Sequence, residues 1–478
     1  MRILSARILG CAVILAAISA AHADEAVKAP MRDAPNQQHR ATPADFPWSL
    51  RASNTTLIPA QSMLMQPSGQ DILPGSLHHV LRASLRHDAT LQAAAQEATA
   101  AHHAVDSARF DLLPAVSLTA AGETSRSSSL SGLPQLDRTI ATGSITAEWT
   151  LFASGGKLAA IEAAQASANA ADYNYLAQER SLIFENATLY LDYVANTQRR
   201  GIIKRSLRRI RKIRTMTKRQ YAAGFASRTD VALVDAEVAS LQSQVEQATQ
   251  QIGRLRIELL NKTGVEAGHA ARFPAKDRLL PKSRNDAVAR ALQGNPFIES
   301  AIETARSVKA QSRVQRSNYL PKLTAYASLE QQSDDRFDFD TDADWKAGVR
   351  FSMPIGNLSQ VARYRQVRAQ AQAAGFRARQ VERQIKTEIE TAWEEMESLS
   401  RNRAILSRKI SARKKSANGV RKELDAGLKP VSDLLREEMR LAEARIEHLQ
   451  NRLSLSRSVL RIAVHMPDMT IEKLAGKS

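Results

Sequence analysis

The sequence predicts a mainly α-helical protein with a small β part. Long helices pack side by side as coiled coils, and four strands per chain belong to a membrane barrel shared between several copies. Three observations carry this. A stretch after Thr229 places apolar residues alternately three and four apart without a break. Four other stretches alternate apolar and polar residue by residue. The whole pattern is written twice, in the same order and at a nearly constant offset.

The 478 residues are 43% hydrophobic and 24% charged, with only 20 Gly and 16 Pro. That balance favours long helices over an all-β domain and excludes collagen-like, disulfide-stapled and fully disordered chains. Arg2 and Arg7, the apolar run Ile8 to Ile18 and Ala21-His22-Ala23 read as a secretory signal peptide over residues 1–23. The single cysteine, Cys11, lies within it. Ile8-Leu9-Gly10-Cys11 resembles a lipoprotein box, but the apolar run continues past it. Removal of the signal leaves no thiol, as suits export without disulfides. No later segment offers about 18 continuous apolar residues, so no second helical membrane span is predicted. Residues 24–70 form a polar extension without periodicity.

Two repeats follow, residues 70–265 and 285–466, joined by a linker at 266–284 and followed by a tail at 467–478. Leu73-Pro74 recurs as Leu280-Pro281, and Leu113-Pro114 as Leu320-Pro321. Leu91, Ala94 and Ala98 recur as Ile298, Ala301 and Ala305. Tyr221, Gly224 and Asp230 match Leu424, Gly427 and Asp433. Ordered matches of this kind mark an internal duplication.

The seam Val231, Val234, Val238, Leu241, Val245, Ala248, Ile252, Leu255 and Leu259 is that of a coiled coil. The second repeat has Leu435, Ala442 and Leu449 interleaved with Met439, Ile446, Leu453 and Leu460. Further helical stretches are predicted over 76–112, 156–200, 285–317 and 358–400. A sustained 3.5-residue period demands lateral partners along the whole length.

Each Leu113-Pro114-type pair opens a segment of period two. Val116, Leu118 and Ala120 alternate with hydroxyls, as do Ile145, Ala147, Trp149 and Leu151 with Thr146, Glu148 and Thr150. Leu323, Ala325, Ala327 and Leu329 form the third set, and Trp345, Ala347, Val349, Phe351 and Met353 the fourth. One face is apolar and the other carries Glu, Lys, Arg and hydroxyls, the signature of a membrane barrel strand with a wet lumen. A soluble antiparallel sheet with one solvated face alternates in the same way. Four strands cannot close around a pore, and open edges are forbidden in lipid, so a membrane reading requires several chains in one barrel. Trp149 and Trp345 would be its interface anchors.

At this point the chain resembles the TolC-type outer-membrane efflux and secretion proteins, the outer membrane factor family, over about residues 70–466. The resemblance rests on the duplicated helix–strand–strand–helix plan, the two Leu-Pro pairs and the turn Tyr221 to Val231 with its copy at Leu424 to Leu434. It implies a homotrimer whose strands form one outer-membrane barrel continued by a periplasmic α-barrel of coiled coils. It also implies two partners, a periplasmic adaptor and an inner-membrane pump that is ABC-type or proton-driven. The turns at Gly224 and Gly427 would form the periplasmic tip. The residues matching the family's gate are Thr229 and Asp230, with Lys429 and Asp433 in the second repeat. Leu424 stands in place of an aromatic gate residue, and Arg436 in place of a second constricting Asp. The family pattern leaves room for an Asp230–Lys429 pair and for one acidic ring at Asp433, partly offset by Arg436. Helix N-terminal acids stabilised by the dipole would look the same.

The net charge is +18, and two segments account for it. Lys204 to Arg219 and Arg401 to Lys422 each hold nine basic residues and no acid. A solvated helix face is one reading; a basic collar facing an acidic adaptor or pump surface is the other. Nucleic acid is no partner for an exported chain without aromatic interleaving. Residues 334–344 are acidic, but Ala343 and Val349 break the calcium-loop pattern of Asp338, Asp340 and Asp342. Gly155-Gly156-Lys157 lacks the leading Gly and following Ser or Thr of a phosphate loop. The pairs His78-His79 and His102-His103 lack zinc-site spacing. No cofactor and no enzymatic activity are expected. The sequence therefore points to a passive export channel for small molecules or secreted proteins, against the alternative of a soluble periplasmic coiled-coil scaffold.

Overall fold

Helix starts are set by short polar side chains placed just ahead of the apolar-periodic stretches. Ser76, Asp88, Ser227, Ser283, Asn295 and Asn357 each accept a bond from a first-turn amide, satisfying donors the helix leaves open. The computed structural model describes residues 76–127, 136–266, 268, 280–333, 344–467 and 469–471. Within them the chain runs α1 (Leu77–His87), α2 (Ala89–Phe110), β1 (Ala115–Ser127), β2 (Leu136–Phe152), α3 (Gly156–Ala222) and α4 (Arg228–Thr263). It continues through α5 (Arg284–Leu292), α6 (Pro296–Ser317), β3 (Lys322–Ser333), β4 (Asp344–Ser352), α7 (Leu358–Asp425) and α8 (Val431–Val464). The same order of six elements thus occurs twice. All described residues belong to the compact unit Pro59–Ser478. The signal peptide, the extension 24–70, most of the linker, the acidic loop before Asp344 and most of the tail lie outside the described residues.

Two predicted helices are split. The stretch 76–112 breaks at Asp88, whose carboxylate accepts from the amides of Thr90 at 2.9 Å and Leu91 at 3.1 Å and so opens a new helix. The stretch 285–317 breaks at Gly294, with φ of 62°, and Asn295, ahead of Pro296. Proline has no amide with which to continue the preceding helix, yet it fits the first position of the next. The other two outrun the prediction. α3 has 67 residues and α7 has 68, each about 100 Å long.

These two helices organise the rest. α3 packs against α2 and α6 along its first half and against α4 and α8 along its second; α7 packs against α6 and then α8. The α4 seam from Val234 to Leu259 is buried throughout, whereas Val231 at its head is half-buried. In α8, Leu435, Ala442, Leu449 and Leu460 are buried, while Met439, Ile446 and Leu453 lie half-buried against the same cores. One core joins Ile203, Leu207 and Ile210 to Val234, Val238, Leu241 and Leu434. A second joins Tyr190 and Leu191 to Leu255 and Leu259. A third joins Ile389, Trp393 and Met396 to Val459 and Ile462.

The strands form one antiparallel sheet in the order β1-β2-β3-β4. Its register aligns the period-two positions into rows. Leu118, Ile145, Leu329 and Trp345 stand side by side, as do Val116, Ala147, Ala327 and Ala347, and Trp149, Ala325 and Val349. The opposite face aligns Ser117, Thr146, Ser328 and Lys346, then Glu148 and Tyr326, then Thr150, Thr324 and Arg350. Ser117 Oγ lies 2.6 Å from Thr146 Oγ1, and the Arg350 guanidinium sits 4.9 Å from the Tyr326 ring centre. The register shifts between Thr150 and Phe152, so Phe152 rather than Leu151 stands opposite Leu323. Trp149 Nε1 donates to the Leu112 carbonyl at 2.8 Å and Ser154 Oγ to that of Pro321 at 2.7 Å, tying the sheet to the helices. No helix among the described residues is long and apolar enough to cross a membrane.

Leu259 is fully buried at the junction of α1, α3 and α4. Leu259→Ala is expected to lower the free energy of unfolding in detergent by about 2–5 kcal/mol. The exposed control Gln250→Ala should stay within about 0.5 kcal/mol. Urea titration followed by circular dichroism reads both.

Candidate functional site

Each long helix ends in the same return. After α3, the amide of Phe225 donates to the Gln220 carbonyl at 2.8 Å and that of Gly224 to Tyr221 at 3.0 Å. After α7, Leu428 donates to Glu423 and Gly427 to Leu424 at the same two distances. Gly224 and Gly427 have φ of 79° and 77°, the left-handed residue that closes this C-terminal motif. A Cβ at either would meet nothing within 4 Å, so conformation rather than space requires glycine here.

The two turns diverge three residues further on. Ser227 caps α4, and Asp230 completes a capping box: its carboxylate accepts from the Ser227 amide at 2.9 Å and hydroxyl at 2.7 Å, while the Ser227 oxygen accepts from the Asp230 amide at 3.0 Å. These bonds from Ser227, backbone first, hold the Asp230 carboxyl below its ordinary pKa. In the second repeat Pro430 occupies the cap position of α8, with neither amide nor hydroxyl to offer. Asp433 therefore turns to cations, with Lys429 Nζ at 3.8 Å and Arg436 Nη1 at 3.4 Å. Thr229, at the second position of α4, is exposed. The structure thus brings Lys429, Asp433 and Arg436 together and ties Asp230 to Ser227. The S-x-x-D spacing of Ser227 and Asp230 is the sequence signal of that cap.

Above the turns, part of the basic charge is neutralised by acids on the returning helices. Glu438 of α8 is 3% exposed and lies 2.6 Å from both Arg209 of α3 and Arg421 of α7, joining three helices. Glu437 meets Arg413 at 3.3 Å and Arg440 at 2.9 Å. Burial raises the Glu437 pKa, but bonds from Arg440 and Ser416 and the Arg413 charge outweigh it, and the net shift is downward. Asp235 pairs with Arg214 and, at 3.8 Å, with Lys218; Glu447 pairs with Lys409 at 2.6 Å. Glu437 and Glu438 carry no motif, and neither is legible from the sequence as a site.

A depressed carboxyl pKa contributes stability that is present above the unfolded value of 3.8 and is lost as pH falls through the folded one. Ser227→Ala removes the cause. It is expected to cost about 1 kcal/mol near neutral pH, a difference that shrinks toward zero in acid. Urea titrations of both proteins between neutral and acid pH check this.

Comparison with known proteins places this geometry. The pattern that defines the outer membrane efflux proteins matches the chain twice, over residues 80–265 and 287–465. Among relatives, the pyoverdine export outer membrane protein OpmQ of Pseudomonas aeruginosa is 27% identical over 205 residues. That match spans 42% of this chain and 43% of OpmQ. Among solved structures, the CmeC outer membrane channel of Campylobacter jejuni superposes with a TM-score of 0.73 at 14% identity, over 93% of this chain and 96% of that one. The open state of the MtrE outer membrane channel of Neisseria gonorrhoeae gives 0.68 at 18% identity, over 81% and 88%. At these identities the superpositions show a shared fold. With both repeats matched and that fold in common, the chain belongs to the outer membrane efflux protein family, whose place is the outer membrane with an extension into the periplasm.

Proposed function

We propose that three copies of this chain form an outer-membrane exit duct, passively conducting substrates delivered by an inner-membrane pump through a periplasmic adaptor. The sheet carries this reading. A single chain leaves β1 and β4 as open edges, with Leu118 75% and Trp345 76% exposed on the continuous apolar face. Lipid tolerates no unpaired strand edge, so the edges of one copy pair with those of the next. The apolar rows then face lipid, and Glu148, Lys346 and Arg350 face the lumen. Each copy contributes two repeats, residues 70–265 and 285–466. The match to a pyoverdine exporter favours small-molecule efflux over protein secretion.

The gate belongs at the tip turns. Asp433, which has no capping hydroxyl to hold it, is the acid available to line the constriction, with Lys429 and Arg436 adjusting its charge. Asp230 and Thr229 border it from the first repeat.

Recovery from the outer membrane with the light-scattering mass of three chains in detergent is the expected result. A monomer in the aqueous periplasmic extract would instead establish the coiled-coil scaffold. In planar bilayers, Lys429→Ala is expected to change the closed-state conductance of the channel, and an unchanged conductance would remove Lys429 from the gate.

A further inference from the structure

A basic stripe runs along one side of α6, next to the sheet. Ile302, Arg306, Lys309, Arg313 and Arg316 follow one another three and four apart, and Leu320 continues the row just past the helix end. All but the half-buried Leu320 are exposed, whereas Glu303, Ser307, Ala310 and Ser317 of the same helix are buried. Ser307 Oγ donates to the Ala163 carbonyl of α3 at 2.9 Å and marks that buried side. Where the stripe meets the start of α3, a groove of about 330 Å³ opens, lined by Ser154, Leu158, Glu162, Arg313, Arg316 and Leu320. Arg313 Nη2 lies 2.5 Å from Glu162 Oε1, and Arg306 Nη1 lies 3.1 Å from Glu303 Oε1. Lys309 and Arg316 have no carboxylate within 4.0 Å among the described residues. The stripe is therefore net positive, and Leu158 beside it is 68% exposed.

The sheet fixes which way this side of α6 faces. Lys322 shares a strand face with Thr324 and Tyr326, opposite the apolar Leu323, Ala325 and Ala327. Its Nζ donates to Asn318 Oδ1 at 3.3 Å, so Asn318 marks the polar-face side of the helix end. Residues two apart on a helix point about 200° apart, which turns Arg316 to the side of the apolar face. Arg316 lies in the last turn of α6, one short loop before β3. The groove is also central to the chain. Helix contacts run from α2 to α3 to α6 to α7, and the sheet runs from β1 to β4. A second copy that pairs at the β1 or β4 edge therefore adjoins α2 or α7 and leaves the groove between α3 and α6 uncovered.

We propose that this groove holds the headgroup phosphate of an anionic phospholipid of the periplasmic leaflet, with Arg313 and Arg316 as its donors. It rests on the exit-duct reading, under which the apolar sheet face lies in lipid and the helices begin at its periplasmic boundary. There the acyl chains lie along Phe152 and Leu323, which stand side by side on the apolar face, while the phosphate meets the arginines. Guanidinium forks match phosphate oxygens. An open groove cannot enclose a soluble ligand, but a lipid is already held by its chains and needs only its headgroup fixed. The net positive stripe selects an anionic headgroup over a zwitterionic one. The site occurs once per chain: the first repeat has Asp106 where the second has Arg313, and that acid pairs with Arg109 at 3.4 Å.

The test uses the full-length mature protein in detergent, with phosphatidylglycerol or phosphatidylcholine added and bound lipid counted by native mass spectrometry. One phosphatidylglycerol per chain is expected, held about tenfold more tightly than phosphatidylcholine. Arg316→Ala should remove that preference, while Arg109→Ala, at the matching place in the first repeat, should keep it. Circular dichroism and oligomer mass of Arg316→Ala should match the unmodified protein, because the side chain is exposed. Equal retention of the two lipids, or a preference that survives Arg316→Ala, overturns the proposal. Displacement of the lipid by free glycerol phosphate at equal concentration would make the groove a soluble-anion site and overturn it too. A monomer mass with the phosphatidylglycerol preference intact removes the duct reading alone. A trimer without that preference removes only the lipid site.

Discussion

Every other element is arranged around the apolar seams that run along α3 and α7. A helix about 100 Å long cannot bury its own apolar stripe, so each must find lateral partners from end to end. α3 finds α2, α6, α4 and α8 in turn, and α7 finds α6 and α8. The strands are consequently confined to one end, where Leu-Pro pairs stop α2 and α6 and turn the chain into the sheet. The tip turns fall at the other end. Because the seams hold both ends at a fixed separation, the apolar sheet face and the charged turns act as parts of one object.

Duplication supplies two copies of each part, and the copies differ most plainly in how they hold the charged groups at the turns. The glycine returns at Gly224 and Gly427 keep the same hydrogen bonds at the same distances. Three residues on, Ser227 in one copy and Pro430 in the other send two equivalent aspartates to different partners. One carboxylate is consumed in closing a helix end; the other is left among cations. Pro430 removes the cap, and Lys429 and Arg436, which stand where the first repeat has Ala226 and Leu233, supply the cations.

The charge of the chain is distributed by the same geometry. Helix seams place Glu438 where it is buried, and a buried carboxylate is tolerable only with cations on it, which Arg209 and Arg421 provide. Cations on the side of α7 away from the seam, Arg408, Lys415 and Lys422, are exposed. What looks like a uniform basic run is therefore in smaller part a set of contacts between helices and in larger part exposed surface.

The sequence by itself determined the helical class, the duplication, the α4 seam, the alternation of all four strands and the glycine turns. Each of these is a local or periodic property: the 3.5- and 2-residue periods state which side is buried before any partner is known. Leu118, Ile145, Leu329 and Trp345 could each be assigned to an apolar face, but only the sheet register showed them as one row. The breaks at Asp88 and Asn295 were signalled by cap residues and Pro296 that the continuous periodicity masked. Partners of charged groups were not legible. Asp230 and Asp433 sit in matching motifs, and the Glu438 contacts to Arg209 and Arg421 reach across helices far apart in sequence. Which cation meets which acid depends on how antiparallel helices are staggered, and that stagger exists only in the folded structure.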